Sequence, residues 1–148
     1  MFNRTLLLIL SFICLISCTK DSSSPTVNYT GVYVGNLEVT QSSLNTKSTI
    51  SNCHIILTST GTGGNVTFAA DKLFLGTLGG KISGNSLVIT PEDFQTSSSI
   101  RSNRSGVATF SGNSMSVEIK QDDYFIEKDY PNGRLYYQYS WKGTMSKQ

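Results

Sequence analysis

Cys53 and His54 stand side by side, and a thiol next to an imidazole is the first pair to test as nucleophile and base. His54 is the only histidine in the 148 residues. Its surroundings read as a β-strand, where neighbouring side chains point to opposite faces, so the two groups cannot meet. No second histidine or cysteine pair completes a zinc set. Gly76-Thr77-Leu78-Gly79-Gly80-Lys81 has the outline of a phosphate loop, but Leu75 replaces the earlier glycine and Ile82 stands where a hydroxyl would hold magnesium. Asp122, Asp123, Glu127 and Asp129 form an acidic stretch broken by Lys128 and preceded by Lys120. Its spacing matches no calcium loop. On a strand Asp123, Glu127 and Asp129 would share a face; the plainer reading is a charged strand edge or hairpin end. Arg101 and Arg104 flank Ser102-Asn103 in what reads as a polar loop, an anion clamp without a third partner. These readings predict no catalytic residue, no metal, no cofactor and no enzymatic activity.

The aromatic residues are the better lead. Tyr124, Tyr130, Tyr136, Tyr137, Tyr139 and Trp141 crowd the C-terminal part of the chain. Tyr137, Tyr139 and Trp141 fall on one face of a strand, where they either fill a core or line a cavity, and Tyr33 joins them as a candidate ligand contact. Tyr136 breaks the alternation and is the member expected at the surface.

At the N-terminus, Arg4 precedes an apolar run from Leu6 to Ile16 that only Ser11 interrupts. About 11 residues suit the hydrophobic part of a signal peptide and are too few to span a bilayer. Leu15-Ile16-Ser17-Cys18 closes the run: an aliphatic residue, a tolerated one, a small one, then cysteine. Residues 1–18 resemble bacterial lipoprotein signal peptides. The resemblance implies recognition of Leu15, Ile16 and Ser17 by the signal peptidase, cleavage after Ser17, and a diacylglycerol on the Cys18 thiol. It also implies an acylated new amino terminus, and two or more chains anchor a protein stably where one does not. The membrane is then a partner through Cys18, and the location is the cell envelope, the outer membrane with the domain facing the periplasm or the surface.

Removing residues 1–17 from the 148 leaves 131, enough for one domain with one core. Only Arg4 is lost among the charges, so 12 basic residues become 11 against 10 acidic ones. That balance favours neither nucleic acid nor an anionic surface. Of three cysteines, Cys14 leaves and Cys18 carries lipid, so Cys53 has no disulfide partner and reads as a buried small hydrophobe. Residues 18–28 hold the lipidated cysteine and a Ser-rich tether, Thr19 to Val27 having no apolar period.

Residues 29–148 have β texture throughout, rich in Val, Ile, Thr, Tyr and Phe without a helical stripe. Thr30 to Thr40 reads as a strand with Tyr29, Gly31, Tyr33, Gly35, Leu37 and Val39 on one face, the two glycines leaving space. Ser48 to Thr58 follows, with Cys53, Ile55 and Leu57 opposite His54 and Ile56. Gly84-Asn85 and Gly112-Asn113 sit between paired β segments and predict tight hairpins. Thr90-Pro91-Glu92-Asp93 predicts one helical turn, and Pro131-Asn132-Gly133 predicts a reverse turn. Met115, Val117 and Ile119 alternate with polar residues, and so do the residues from Leu135 to Met145 apart from Tyr136; Arg134 to Ser146 would extend roughly 40 Å at ~3.3 Å per residue and must coil or bend.

About eight strands in a meander predict an all-β, eight-stranded up-and-down barrel, with a β-sandwich as the alternative. The Gly31-Val32-Tyr33-Val34-Gly35 opening, the serial hairpins and the closing Trp141-Lys142-Gly143-Thr144-Met145 resemble small bacterial lipoproteins with lipocalin-like barrels. Two functions fit. A cavity would hold a small apolar or amphipathic ligand against Tyr137, Tyr139 and Trp141. A packed interior would make the domain an interaction or accessory module for another envelope protein.

Overall fold

The computed structural model describes residues 28–61, 63–73, 76–127 and 130–148, with the backbone alone at 96 and 130–132. The expected signal sequence, Cys18, the expected tether up to Val27, Leu75, Lys128 and Asp129 lie outside the described residues. Eight antiparallel strands follow one another and close into a barrel: β1 (Gly31–Gln41), β2 (Thr46–Ser59), β3 (Asn65–Ala70), β4 (Thr77–Ser83), β5 (Ser86–Ser97), β6 (Ile100–Ser111), β7 (Ser114–Glu127) and β8 (Tyr130–Lys147). A single 3₁₀ turn, Ser42–Leu44, joins β1 to β2. The barrel, not the sandwich, is the architecture. The ring closes because β8 pairs with both β7 and β1, while the start of β8, before Tyr139, extends beyond the end of β1.

The two Gly-Asn pairs form the predicted hairpins, Ser83 opposite Ser86 and Ser111 opposite Ser114. Gly84 and Gly112, at φ +59 and +56, take the first central position, where a glycine-first turn matches the twist of the flanking strands. Both hairpins lie at the end where β1 begins and β8 finishes. That end is closed. Tyr29 stacks on Phe110 at 4.2 Å, Tyr33 tilts against the same ring, and the Tyr33 hydroxyl donates to the Tyr29 carbonyl at 2.9 Å.

Two local expectations are corrected. Thr90-Pro91-Glu92-Asp93 is no helical turn: β5 runs through it, with Thr90 and Pro91 bulged between Ile89 opposite Gly106 and Glu92 opposite Arg104. A bulge is one of the few places where a strand accepts a proline, which has no N–H for the ladder. Pro131-Asn132-Gly133 likewise lies inside β8. Glu127 pairs with Tyr130 and Phe125 with Arg134, so the three residues bulge opposite Ile126 and the chain reverses before them. A third irregularity, at Ser51 and Asn52 on β2, puts Asn52 at φ +50 and sets Cys53, Ile55 and Leu57 inward as predicted.

The core fills the closed half. Tyr33, Leu37, Cys53, Ile55, Leu57, Phe68, Leu78, Leu87, Ile89, Phe110, Met115, Ile119 and Met145 are buried there. Gly35 leaves no cavity: a Cβ on it would lie 2.6 Å from the Thr144 carbonyl oxygen and 3.0 Å from Met145 Cα. The missing side chain lets β8 cross close over β1.

Candidate functional site

The barrel interior changes character halfway up. Along β7 the inward residues are Met115, Val117 and Ile119, all buried, and then Gln121 and Asp123. The register aligns the same change on its neighbours. On β6, Phe110, Ala108 and Gly106 give way to Arg104 and Ser102; on β8, Met145, Gly143 and Trp141 give way to Tyr139 and Tyr137. The strict alternation of a β-strand therefore carries a polar and aromatic set into the upper barrel, above an apolar floor.

These side chains bond to one another. Ser102, only 1% exposed, donates its hydroxyl to Asp123 Oδ1 at 2.6 Å. Gln121 Nε2 donates to the same oxygen at 2.8 Å, and Arg104 Nε donates to Gln121 Oε1 at 2.9 Å. The Arg104 guanidinium covers the Phe94 ring at 3.9 Å, a cation–π contact that shelters it. Burial pulls the pKa of Arg104 down, and the Glu92 and Asp123 carboxylates oppose that pull. Tyr139 accepts a hydrogen bond from Gln41 Nε2 at 3.3 Å. Burial pushes its phenol pKa up, with Asp123 and Tyr136 adding to the shift, so the hydroxyl keeps its proton at neutral pH.

Above this network lies an open cup of ≈ 340 Å³, lined by Ile50, Lys72, Leu73, Gln121, Asp123, Tyr139 and Trp141. Lys72 and Leu73 come from the β3–β4 connection, and Lys72 Nζ is tied to the Ser51 carbonyl at 2.6 Å. Tyr139 and Trp141 stack at 5.7 Å with 17° between their planes, and Tyr137 tilts against Tyr139 at 6.0 Å.

Of the four aromatic contacts expected from the sequence, Tyr139 and Trp141 line the cup. Tyr137 sits next in the same row, its hydroxyl 3.2 Å from that of Tyr136. Tyr33 does not belong to the site: it is fully buried at the closed end. Arg101 and Arg104 are not in a loop but on β6, and a separation of three on a strand sends them to opposite faces. Arg101 pairs outside with Asp93 at 3.3 Å while Arg104 points in, so no clamp forms. Asp123 faces the interior, and Glu127 lies beyond a bulge at the exposed end of β7. The sequence alone does not bring Gln121, Asp123, Ser102, Arg104 and Lys72 together as one site. The available signal was the period of two after Ile119, which keeps Gln121 and Asp123 on the buried face.

Cys53 and His54 do face opposite ways. Burial pushes the Cys53 thiol pKa up, and the Asp71 carboxylate adds to the shift, which disfavours the thiolate a nucleophile needs. His54 Nδ1 instead lies 2.7 Å from Asp71 Oδ2 on the outer surface. Among the described residues no group of three or more His, Cys, Asp or Glu side chains is placed to hold a metal ion.

A second surface lies beyond the cup. The upper ends of β7 and β8 project with Phe125, Leu135 and Tyr136 exposed, Tyr136 at 51%, around a groove of ≈ 560 Å³. Ile100, Glu127 and Arg134 complete its lining. No protein-family model matches this chain, and no curated protein or solved structure matches it either.

Proposed function

We propose that this protein is an envelope lipoprotein, lipid-anchored through Cys18, whose barrel binds a small amphipathic ligand in the cup at its mouth. One observation carries the binding reading: inward positions that would hold apolar filler in a barrel built only to fold hold Ser102, Arg104, Gln121, Asp123 and Tyr139. A buried polar group left unpaired costs about 1–3 kcal/mol, so a hydrogen-bonded set at the top of an apolar floor points to use. The cup volume falls at the lower end of the ~300–1,000 Å³ usual for small-molecule sites. The fully buried Leu37 and Ile119 beneath the cup favour a compact ligand over a long acyl chain.

The anchor rests on the Leu15-Ile16-Ser17-Cys18 motif. Cys18→Ala should abolish labelling by a radiolabelled fatty acid, and persistent labelling would overturn the anchor. Trp141 is the only tryptophan, so its fluorescence reports on the cup. Extracts of the envelope should quench or shift that emission saturably, and a spectrum indifferent to every fraction counts against the binding reading.

A second reading has its own observation in the exposed Phe125, Leu135 and Tyr136. Apolar side chains gathered around a groove at the tip of a projecting hairpin suit contact with another envelope protein. Tyr136→Ser would weaken that contact and leave the cup intact.

A further inference from the structure

The geometry points to a class of ligand for the cup: an uncharged, polyhydroxylated ring, a mono- or disaccharide unit. This inference rests on the binding reading above and deepens it. Charge comes first. Among the residues that line the cup, Lys72 supplies one cation and Asp123 one carboxylate, and Arg104, behind Gln121, is under the influence of Asp123 and Glu92. The set is balanced as it stands, so a charged ligand would meet a like charge or leave one of these groups uncompensated.

Hydrogen-bonding chemistry comes second. Among the described residues, both hydrogen bonds to Asp123 end on Oδ1, and Oδ2 is the atom offered to an occupant. The Gln121 amide, the Tyr139 hydroxyl and the Lys72 ammonium also line the cup, so it carries both donors and acceptors. Neighbouring hydroxyls on a ring each donate and accept, and they match such a lining where a fatty acid, with polar atoms at one end only, does not.

The third argument is shape. Trp141, Tyr139, Ile50 and Leu73 give the same cup an apolar and aromatic side, which suits the C–H faces of a sugar ring. The floor under it is closed by Leu37 and Ile119, both fully buried, so depth is limited to something the size of one or two rings.

The barrel closes within residues 31–147, so a chain from Thr19 to Gln148 carries the whole fold. Its Trp141 emission would be titrated with glucose, N-acetylglucosamine and maltose, and in parallel with glucuronate, choline and decanoate. The expected result is saturable binding of at least one neutral sugar, at least tenfold tighter than glucuronate or choline. Gln121→Ala and Asp123→Asn should each weaken it about tenfold or more. Two variants are used so that one which folds poorly, judged by its circular dichroism, leaves the other to decide. Tighter binding of glucuronate or choline overturns the charge argument and with it this inference. Binding of decanoate with no sugar response overturns the saccharide class while the cup remains a small-molecule site. Silence towards all six compounds overturns the saccharide class and also counts against the cup.

Discussion

Asp71 illustrates how a surface residue fixes a connection that the site depends on. It accepts from the His54 backbone N–H at 2.8 Å and faces the His54 ring at 2.7 Å, just before Lys72 and Leu73 enter the cup. Burial alone would raise its pKa, but the His54 hydrogen bonds outweigh that and hold the carboxyl below its ordinary 3.8. A carboxyl with a depressed folded-state pKa contributes stability above its unfolded pKa, and the contribution is lost as pH falls through the folded value. Asp71→Asn should therefore lower the unfolding free energy measured in urea at pH 7, by no more than about 1 kcal/mol for so exposed a pair. The difference from wild type should vanish well below pH 3.8. An equal deficit at both ends of the pH range would assign the loss to packing instead. Cys53 gives a second test at this scale. With the thiol fully buried, DTNB should leave the native domain unmodified and react with one thiol per chain from Thr19 once it is unfolded. Rapid reaction of the native domain would contradict the burial.

At the scale of the strands, close approach at glycine matters more than freedom at turns. Gly35→Val would drive its Cβ into the Thr144 carbonyl, and β8 must move away from β1 at the seam that closes the barrel. The expected cost is about 1–3 kcal/mol, read as a lower melting temperature; a variant as stable as wild type would mean that the seam is loose. The elements also show what the sequence made legible. Alternation in β7 and β8 and the two Gly-Asn hairpins set the strand count, because they depend on local chemistry alone. The bulges at Thr90-Pro91 and Pro131-Asn132-Gly133 are not legible in the sequence, since proline and glycine mark turns, helix starts and bulges alike and only the register across the barrel decides among them. The site was half legible. Tyr139 and Trp141 stand out as aromatics on an alternating strand, whereas Gln121 and Asp123 merge with Lys120 and Asp122 into what looks like a solvated run. The place of Tyr33 is not legible, because an inward aromatic near one end of β1 looks the same from sequence whichever end is closed.

The whole molecule has two unlike ends. Chain entry at Tyr29, exit at Lys147 and the Gly-Asn hairpins gather at the closed end, and the cup opens at the other. The described chain begins at the closed end, so the mouth lies at the opposite end of the barrel from the point where residue 28 enters it. This polarity suits capture of a soluble compact molecule and gives the β7–β8 tip room to meet a partner. The claim on which the rest depends is that the cup is a site, and native mass spectrometry of residues 19–148 tests it most directly. The domain would be purified from a lipid- and sugar-containing host and weighed beside its Trp141→Ala and Asp123→Asn variants. The prediction is a reproducible added mass, or one acquired on incubation with envelope extract, that disappears on denaturation and is reduced in both variants. A bare chain mass under all of these conditions would contradict it and leave the Tyr136 surface as the functional face.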